Sequence, residues 1–175
     1  MGYALAMTDT ELDIDEDERE EDLGPSLAFP PLYVLRTAER CPECGLAQHV
    51  YALGCTAFRF AEEGGEPVDL FHFLRVIRSV PKEVTTLLKR KCPRYFLDKD
   101  EVSGETYFMN HCRCGARLDD HFVHSGRGAA FMPDTPEGYE HITLFRLPIG
   151  EPIEIECCFT LGGGEYLNVA QAEAW

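Results

Sequence analysis

The chain has 175 residues, of which 45% are hydrophobic, and it carries a formal net charge of −15. This size provides one domain with a hydrophobic core and excludes two large domains. The sequence has no apolar run of about 18 residues or more, which excludes a membrane-spanning helix. The negative balance also disfavours binding to phosphate backbones, because that requires clustered Lys and Arg.

The negative charge is concentrated near the N-terminus. Residues 8–22 contain ten acids and one arginine, a net charge of −9, so the rest of the chain carries only −6. Because like charges repel and stay solvated, we expect residues 1–24 to form an acidic, disordered extension. The alternative is that this segment attracts a basic partner or a basic patch of the same molecule. Residues 1–7 are apolar but lack the basic region of a secretion signal, so we expect a cytoplasmic protein.

The first half of the chain predicts strands separated by turns. Residues 29–40 (FPPLYVLRTAER) alternate like a strand after an extended entry, and residues 41–45 (CPECG) form a tight turn. Residues 48–60 are apolar and aromatic and fit either a strand or a helix. Residues 62–67 (EEGGEP) predict a loop.

A helix is predicted at the middle of the chain, between strands. Residues 69–80 favour a strand because they are rich in Phe, Val and Ile. Residues 81–91 (PKEVTTLLKRK) have proline in the first turn, an apolar stripe and basic residues in the last turn, and Pro93 stops the helix. Residues 94–100 and 105–112 predict two strands joined through a Ser-Gly turn.

The last third predicts a long loop followed by two strands. Residues 118–141 begin as a short strand and continue as a loop rich in glycine and proline, and a loop of that length often carries function. Residues 141–148 and 153–161 are alternating strands. The fold class expected from this order is α+β, mostly antiparallel β with one or two short helices.

Eight cysteines in a chain expected to be cytoplasmic indicate metal or redox chemistry rather than disulfides. Four of them lie in two similar turns, Cys41-Pro42-Glu43-Cys44-Gly45 and Cys112-Arg113-Cys114-Gly115, each directly after a predicted strand. If the turns face each other, the ligands Cys41, Cys44, Cys112 and Cys114 give the tetrahedral Cys₄ geometry of structural zinc sites. The chain would then hold a zinc-ribbon-like pair of cysteine knuckles, and residues 25–175 would form a single zinc-stapled, β-rich domain.

Several alternatives to this site remain open in the sequence. His111 precedes the second knuckle and could replace one sulfur, because a Cys-x-Cys spacing is less common than Cys-x-x-Cys. The first knuckle could also be a redox pair, although the glycine behind it and the matching second turn argue against this. Without a metal, the cysteines would act as small buried hydrophobic residues, which is the role expected for Cys55 and Cys92. Cys157 and Cys158 would face opposite sides of one strand.

The stretch YFMNHCRCGARLDDHFVH (107–124) resembles a pattern found in small uncharacterised bacterial zinc-ribbon proteins. Those proteins carry a tyrosine-rich strand, Asn-His-Cys, a second cysteine with glycine, and then an acidic residue, an aromatic residue and a histidine. The resemblance covers about a quarter of the chain. It implies structural Zn²⁺ at Cys41, Cys44, Cys112 and Cys114, and it implies no activity. The family pattern has Cys-x-x-Cys-Gly, so this chain departs from it by one spacer residue.

A polar cluster after the second knuckle is the candidate for catalysis. Asp119, Asp120, His121 and His124 could bind a second metal ion in a metal-dependent hydrolase, with Asp120, His121 and His124 as the catalytic candidates. On a strand these side chains would project from both faces and could not easily converge, which weighs against an enzyme.

Two binding functions complete the set of hypotheses. A nucleic-acid-binding zinc ribbon would need a basic face, for which Arg36, Arg40, Arg113 and Arg117 are the candidates, but the overall charge makes nucleic acid an unfavourable partner. A zinc-stabilised protein-interaction module fits better, with the acidic segment recognising a basic protein partner. An immunity protein or an inhibitor would have this character.

Overall fold

The structure is a computed structural model that describes residues 25–60, 66–125, 128–161 and 163–175. The acidic extension predicted over residues 1–24 lies outside the described residues, as does most of the loop predicted over 62–67. Within the described ranges, no helix combines the length and apolar character needed to cross a membrane.

The described chain is mostly antiparallel β-structure with few helices, consistent with the expected α+β class. Residues 48–60, whose sequence fits either a strand or a helix, lie in a strand, and most of residues 69–80, whose sequence favours a strand, form another. The strands are β1 (Ser26–Arg40), β2 (Ala47–Phe60), β3 (His72–Ser79), β4 (Tyr95–Lys99), β5 (Thr106–His111), β6 (Arg117–Leu118), β7 (Thr143–Arg146), β8 (Ile153–Leu161) and β9 (Glu173–Ala174). The α-helices are α1 (Lys82–Lys91) and α2 (Asp120–His124), and 3₁₀ turns span Pro136–His141, Gly164–Tyr166 and Val169–Gln171.

Six strands form one sheet, in the order β2-β3-β8-β1-β7-β9. Strand β1 is 15 residues long, and one of its edges pairs with β2 along almost its whole length. Its other edge pairs with β8 near the start and with β7 in the middle. Because β2 also pairs with β3, and β3 with β8, the strands β1, β2, β3 and β8 close into a ring.

Alternation along the long strands separates two hydrophobic cores. In β1, Leu32 and Val34 face the helix-side core, whereas Tyr33 and Leu35 face the cysteine-side core. The helix-side core consists of Ala28, Leu32, Val34, Leu53, Cys55, Phe58, Leu74, Ile77, Val84, Leu88, Cys92, Tyr95, Phe108, Leu147, Ile153, Ile155 and Cys157. The cysteine-side core consists of Tyr33, Leu35, Cys41, Val50, Ala52, Phe71, Phe73, Cys112, Leu118, Val123, Phe131, Tyr139, Ile142, Leu144 and Leu167.

Helix α1 forms where the sequence predicts it and covers the helix-side core. Val84 and Leu88, one turn apart, are its fully buried residues. Its last turn carries three basic side chains, which interact favourably with the negative end of the helix dipole. The helix ends at Lys91, and Cys92, its C-terminal cap residue, directly precedes Pro93.

The second sheet has three strands in the order β4-β5-β6, and two side chains join it and its flanking helix to the larger sheet. The Asn110 carboxamide accepts from the Tyr51 N–H and donates to the Tyr51 carbonyl, both at 2.8 Å, so it pairs with β2 as a backbone would. The Asp120 carboxylate accepts a hydrogen bond from the Val76 N–H at an irregularity in β3.

The short strand and long loop predicted over 118–141 are wrong in detail. Strand β6 ends at Leu118, and the next residues form α2 because the Asp119 carboxylate caps its first turn, accepting from the Phe122 N–H at 2.7 Å. The later part of the segment contains the 3₁₀ turn Pro136–His141, which begins with a proline.

We expect Gly54→Ala to destabilise the fold. Gly54 lies in β2 opposite Phe73, and a Cβ there would lie 2.7 Å from the Phe71 ring and 3.0 Å from the His72 carbonyl oxygen. Because Phe71 is itself buried, the free energy of unfolding should fall by about 1–3 kcal/mol. Urea unfolding measures the change.

The matched control is Gly150→Ala, because a Cβ at Gly150 meets nothing within 4 Å. Equal unfolding free energies for the two variants would contradict the packing described around Gly54.

Candidate metal centre

Four cysteine sulfurs converge between the two sheets. The Sγ atoms of Cys41 and Cys114 lie 3.7 Å apart, those of Cys44 and Cys112 lie 3.6 Å apart, and all four lie within 4.8 Å of one another. A tetrahedral ion with metal–sulfur bonds of about 2.3 Å requires sulfurs about 3.8 Å apart. The four cysteines could therefore hold one metal ion.

The first knuckle, residues 41–45, is the turn between β1 and β2. The Cys41 N–H donates to the Leu46 carbonyl at 3.0 Å, and the Gly45 N–H donates to the Cys41 carbonyl at 2.9 Å. Gly45 has φ +71°, a conformation that residues with a Cβ rarely adopt. The hairpin therefore turns tightly enough to place both of its sulfurs on one side.

The second knuckle, residues 112–115, lies between β5 and β6 and closes in the same way. The Cys112 N–H donates to the Ala116 carbonyl at 2.8 Å, and the Gly115 N–H donates to the Cys112 carbonyl at 3.1 Å. Gly115 has φ +97°. The turn has one spacer residue fewer than the first, yet Cys112 and Cys114 still direct their sulfurs to the same group.

Backbone N–H groups point at the sulfurs and stabilise negative charge there. The Cys114 N–H, together with the neighbouring thiols, lowers the pKa of Cys112 to about 7. The Leu46 N–H likewise lowers the pKa of Cys44, but hydrogen bonds to the thiols of Cys112 and Cys114 outweigh it and raise that pKa to about 12. Because the thiolate is the form that binds metals, a turn whose backbone N–H groups stabilise negative charge on sulfur favours metal binding.

The structure does not bring His111 to the sulfurs. Its Nε2 lies 3.0 Å from an Asp98 carboxylate oxygen, its Nδ1 lies 3.3 Å from the Arg94 carbonyl, and its ring stacks on Phe96 at 3.9 Å. The Arg117 guanidinium and the His111 ring hold the pKa of Asp98 well below its usual range. His111 thus stabilises the small sheet beside the knuckle, and the histidine-for-cysteine alternative has no geometric support.

Three of the remaining cysteines have the structural role expected of buried thiols. Cys55, Cys92 and Cys157 are fully buried in the helix-side core. Burial raises the pKa of Cys55 and of Cys92 to about 12, which keeps both thiols protonated and unreactive. Cys158, the neighbour of Cys157 on β8, is half-buried on the opposite face.

The Asp and His residues after the second knuckle do not converge. Asp119 caps α2, and Asp120 is buried against β3. His121 is exposed, whereas His124 is buried, with its ring against Phe131 at a centroid distance of 5.0 Å. In the part of the chain that the structure describes, the metal-binding group consists of the four cysteines, so this cluster adds no second one.

Most of the arginines proposed for a nucleic-acid face have partners. The Arg117 guanidinium donates to Asp98 and Glu101, Arg36 lies over the Phe145 ring at 4.7 Å, and Arg40 donates to the Gly45 carbonyl. Arg113 projects from the second knuckle and is exposed.

Sequence reasoning missed the tie between Asn110 and Tyr51. The signal was present, since Asn110 is a polar residue inside the apolar strand YFMNH and is 2% exposed. A buried carboxamide needs hydrogen-bond partners, and here the backbone of another sheet supplies them.

No protein-family model, curated protein or solved structure matches this chain. The functional argument therefore depends on the geometry of the site.

Metal binding can be measured with cobalt, whose thiolate complexes absorb strongly in the near ultraviolet. We expect one Co²⁺ per chain and a thiolate charge-transfer band. Cys44→Ser should weaken metal binding by at least about 100-fold, because even the loss of a residue that only hydrogen-bonds to a metal ligand lowers metal affinity by about 10–100-fold. Cys158→Ser, which alters a thiol outside the group, is the control, and equal effects of the two variants would contradict the site.

We expect Asp120→Asn to change how stability depends on pH. Burial raises the pKa of Asp120 to about 7, although the Val76 N–H opposes the shift. In the unfolded chain the carboxyl ionises near pH 4. The folded state thus retains a proton that the unfolded state releases, and this contribution to stability is lost as the pH rises from about 4 to about 7.

The Asp120→Asn variant keeps an acceptor for the Val76 N–H but cannot ionise. Its unfolding free energy relative to the parent chain should therefore rise by about 2–4 kcal/mol between pH 4 and pH 8. Urea unfolding across this pH range gives the difference, and a difference that is constant with pH would contradict the assignment.

Proposed function

We propose that Cys41, Cys44, Cys112 and Cys114 bind one Zn²⁺ ion in a structural Cys₄ site of the zinc-ribbon type. The observation that carries this proposal is the all-sulfur, four-membered ligand group with separations close to those of a tetrahedron. Sulfur ligands in this geometry are typical of zinc. The resemblance of residues 107–124 to bacterial zinc-ribbon proteins points the same way.

The role of the ion in this proposal is structural. Four protein ligands complete the coordination of zinc and leave no position for a reactive water. The two knuckles belong to different sheets, so the ion would hold the β1–β2 hairpin to the β5–β6 hairpin and keep residues 25–175 as one domain. Apparent binding free energies of structural zinc in small peptides reach about 10–16 kcal/mol, which is comparable with the stability of a whole domain.

We further propose that the chain is a protein-interaction module whose partner is basic. The net charge of −9 over residues 8–22 supports this, because such a segment speeds the approach of a positively charged protein and selects against an acidic one. An immunity protein that neutralises a basic toxin, or an inhibitor of a basic enzyme, would use these properties.

The two alternative functions have weaker support. A hydrolase built on the Asp119, Asp120, His121 and His124 cluster would need side chains that share one site, and these have separate structural surroundings. A nucleic-acid-binding ribbon would need unpaired basic groups, and Arg117 is paired with two carboxylates.

Neutralising the acidic segment should weaken partner binding. The variant replaces the ten acids of residues 8–22 by their amides. The partner is first identified by crosslinking to the full chain in the cells that produce this chain, and it is then purified. We expect an affinity at least about tenfold lower at low ionic strength, mainly through slower association, and a smaller difference at high salt. Surface plasmon resonance measures both.

A matched control replaces acids in the folded part, such as Glu137 and Glu140, by glutamine. If the partner is not basic, or if neutralising residues 8–22 leaves the association rate unchanged, the proposed mode of recognition is wrong. Metal analysis of the same preparations tests the zinc proposal separately, with one zinc per chain expected.

A further inference from the structure

A cavity of about 510 Å³ lies beside the cysteine centre, at the junction of the two knuckles. One wall is the β1–β2 hairpin next to the first knuckle, which contributes Leu46, Gln48 and Tyr51. The other wall consists of Pro93 and Arg94, which precede β4, and Arg113 of the second knuckle. A cavity of this volume is in the range that accommodates small molecules.

The cavity is positively charged in a strongly acidic protein. The chain has 31 Asp and Glu residues against 16 Lys and Arg, yet the cavity is lined by two arginines and a histidine, His49, and by no acid. By contrast, Glu39 and Asp134 line the neighbouring cavity. Since the long-range field of the molecule repels anions, a local arginine pair of this kind selects for a small anion that reaches the guanidinium groups directly.

Hydrogen-bond donors in the cavity are available to a ligand. The Arg94 guanidinium gives one N–H to the Cys112 carbonyl at 3.2 Å and keeps its other donors. The Arg113 side chain has no ion pair or hydrogen bond within the described ranges.

Apolar groups complete the lining. Leu46, Ala47 and Pro93 offer aliphatic surface, and Tyr51 also lines the cavity. Such a wall favours a ligand with an aromatic or apolar body rather than a bare inorganic ion.

We propose that this cavity binds a small organic anion that carries one phosphate or carboxylate on an aromatic or apolar body. Arg94 and Arg113 hold the anionic group, and the body lies against Tyr51 and Pro93. This site involves none of the residues 8–22 and does not depend on a basic partner, so it goes beyond the function proposed above.

The experiment is an NMR titration of the zinc-loaded full chain with phenyl phosphate and with benzoate, which distinguishes a phosphate site from a carboxylate site. Benzyl alcohol is the neutral control ligand. We expect saturable shifts of the Arg94 and Arg113 side-chain Nε–H signals and of the Tyr51 amide with at least one anion. Arg113→Gln should weaken that binding by about tenfold or more, because hydrogen bonds to charged groups are the strong ones.

The matched control variant is Arg90→Gln, which removes the same charge from an exposed position on α1 outside the cavity. Zinc content and the urea midpoint confirm that both variants are folded, and if Arg113→Gln loses zinc, Arg94→Gln is used in its place. Equal weakening by the cavity variant and Arg90→Gln would overturn the proposal, as would shifts with benzyl alcohol equal to those with the anions. Absence of saturable shifts with both anions would also overturn it.

Discussion

The convergence of four sulfurs at one point is the constraint on which the arrangement of the two sheets depends. Cys44 and Cys112 are 68 positions apart in the sequence and belong to hairpins of different sheets, yet their sulfurs lie 3.6 Å apart. Four thiolates at this distance would repel one another, and a metal ion, which the group could hold, would offset that repulsion. The two hydrogen bonds between Asn110 and Tyr51 join the same two sheets at a second point.

The parts of the structure that could be predicted are those encoded within a few residues. Each cysteine turn is recognisable from the spacing of its cysteines and from the glycine that follows them. The alternation of residues along β1 likewise predicts that Leu32 and Leu35 lie on opposite faces. Helix α1 was predictable for the same reason, since its proline, apolar stripe and basic end are all local signals. The similarity of the two turns was sufficient to identify the four cysteines that the structure brings together.

The parts that could not be predicted depend on residues distant in sequence. The segment 120–124 is too short for its apolar pattern to distinguish a strand from a helix. In the helix, the buried Asp120 side chain accepts a hydrogen bond from the Val76 N–H of β3, which is distant in sequence. His111 is adjacent to a ligand in the sequence, but the pleat of β5 directs its ring to Asp98 instead. The cavity combines residues from two hairpins and an interstrand segment, so no local pattern could indicate it.

The cysteine centre has a protected side and an open side. Cys41 and Cys112 are buried against the cysteine-side core, whereas Cys44 and Cys114 are exposed. An oxidant or an alkylating reagent in the surrounding solution therefore meets Cys44 and Cys114 first, one from each knuckle. Oxidation of either thiol would remove one sulfur from the four-cysteine group, while Cys41 and Cys112, one in each knuckle, would stay protected by burial.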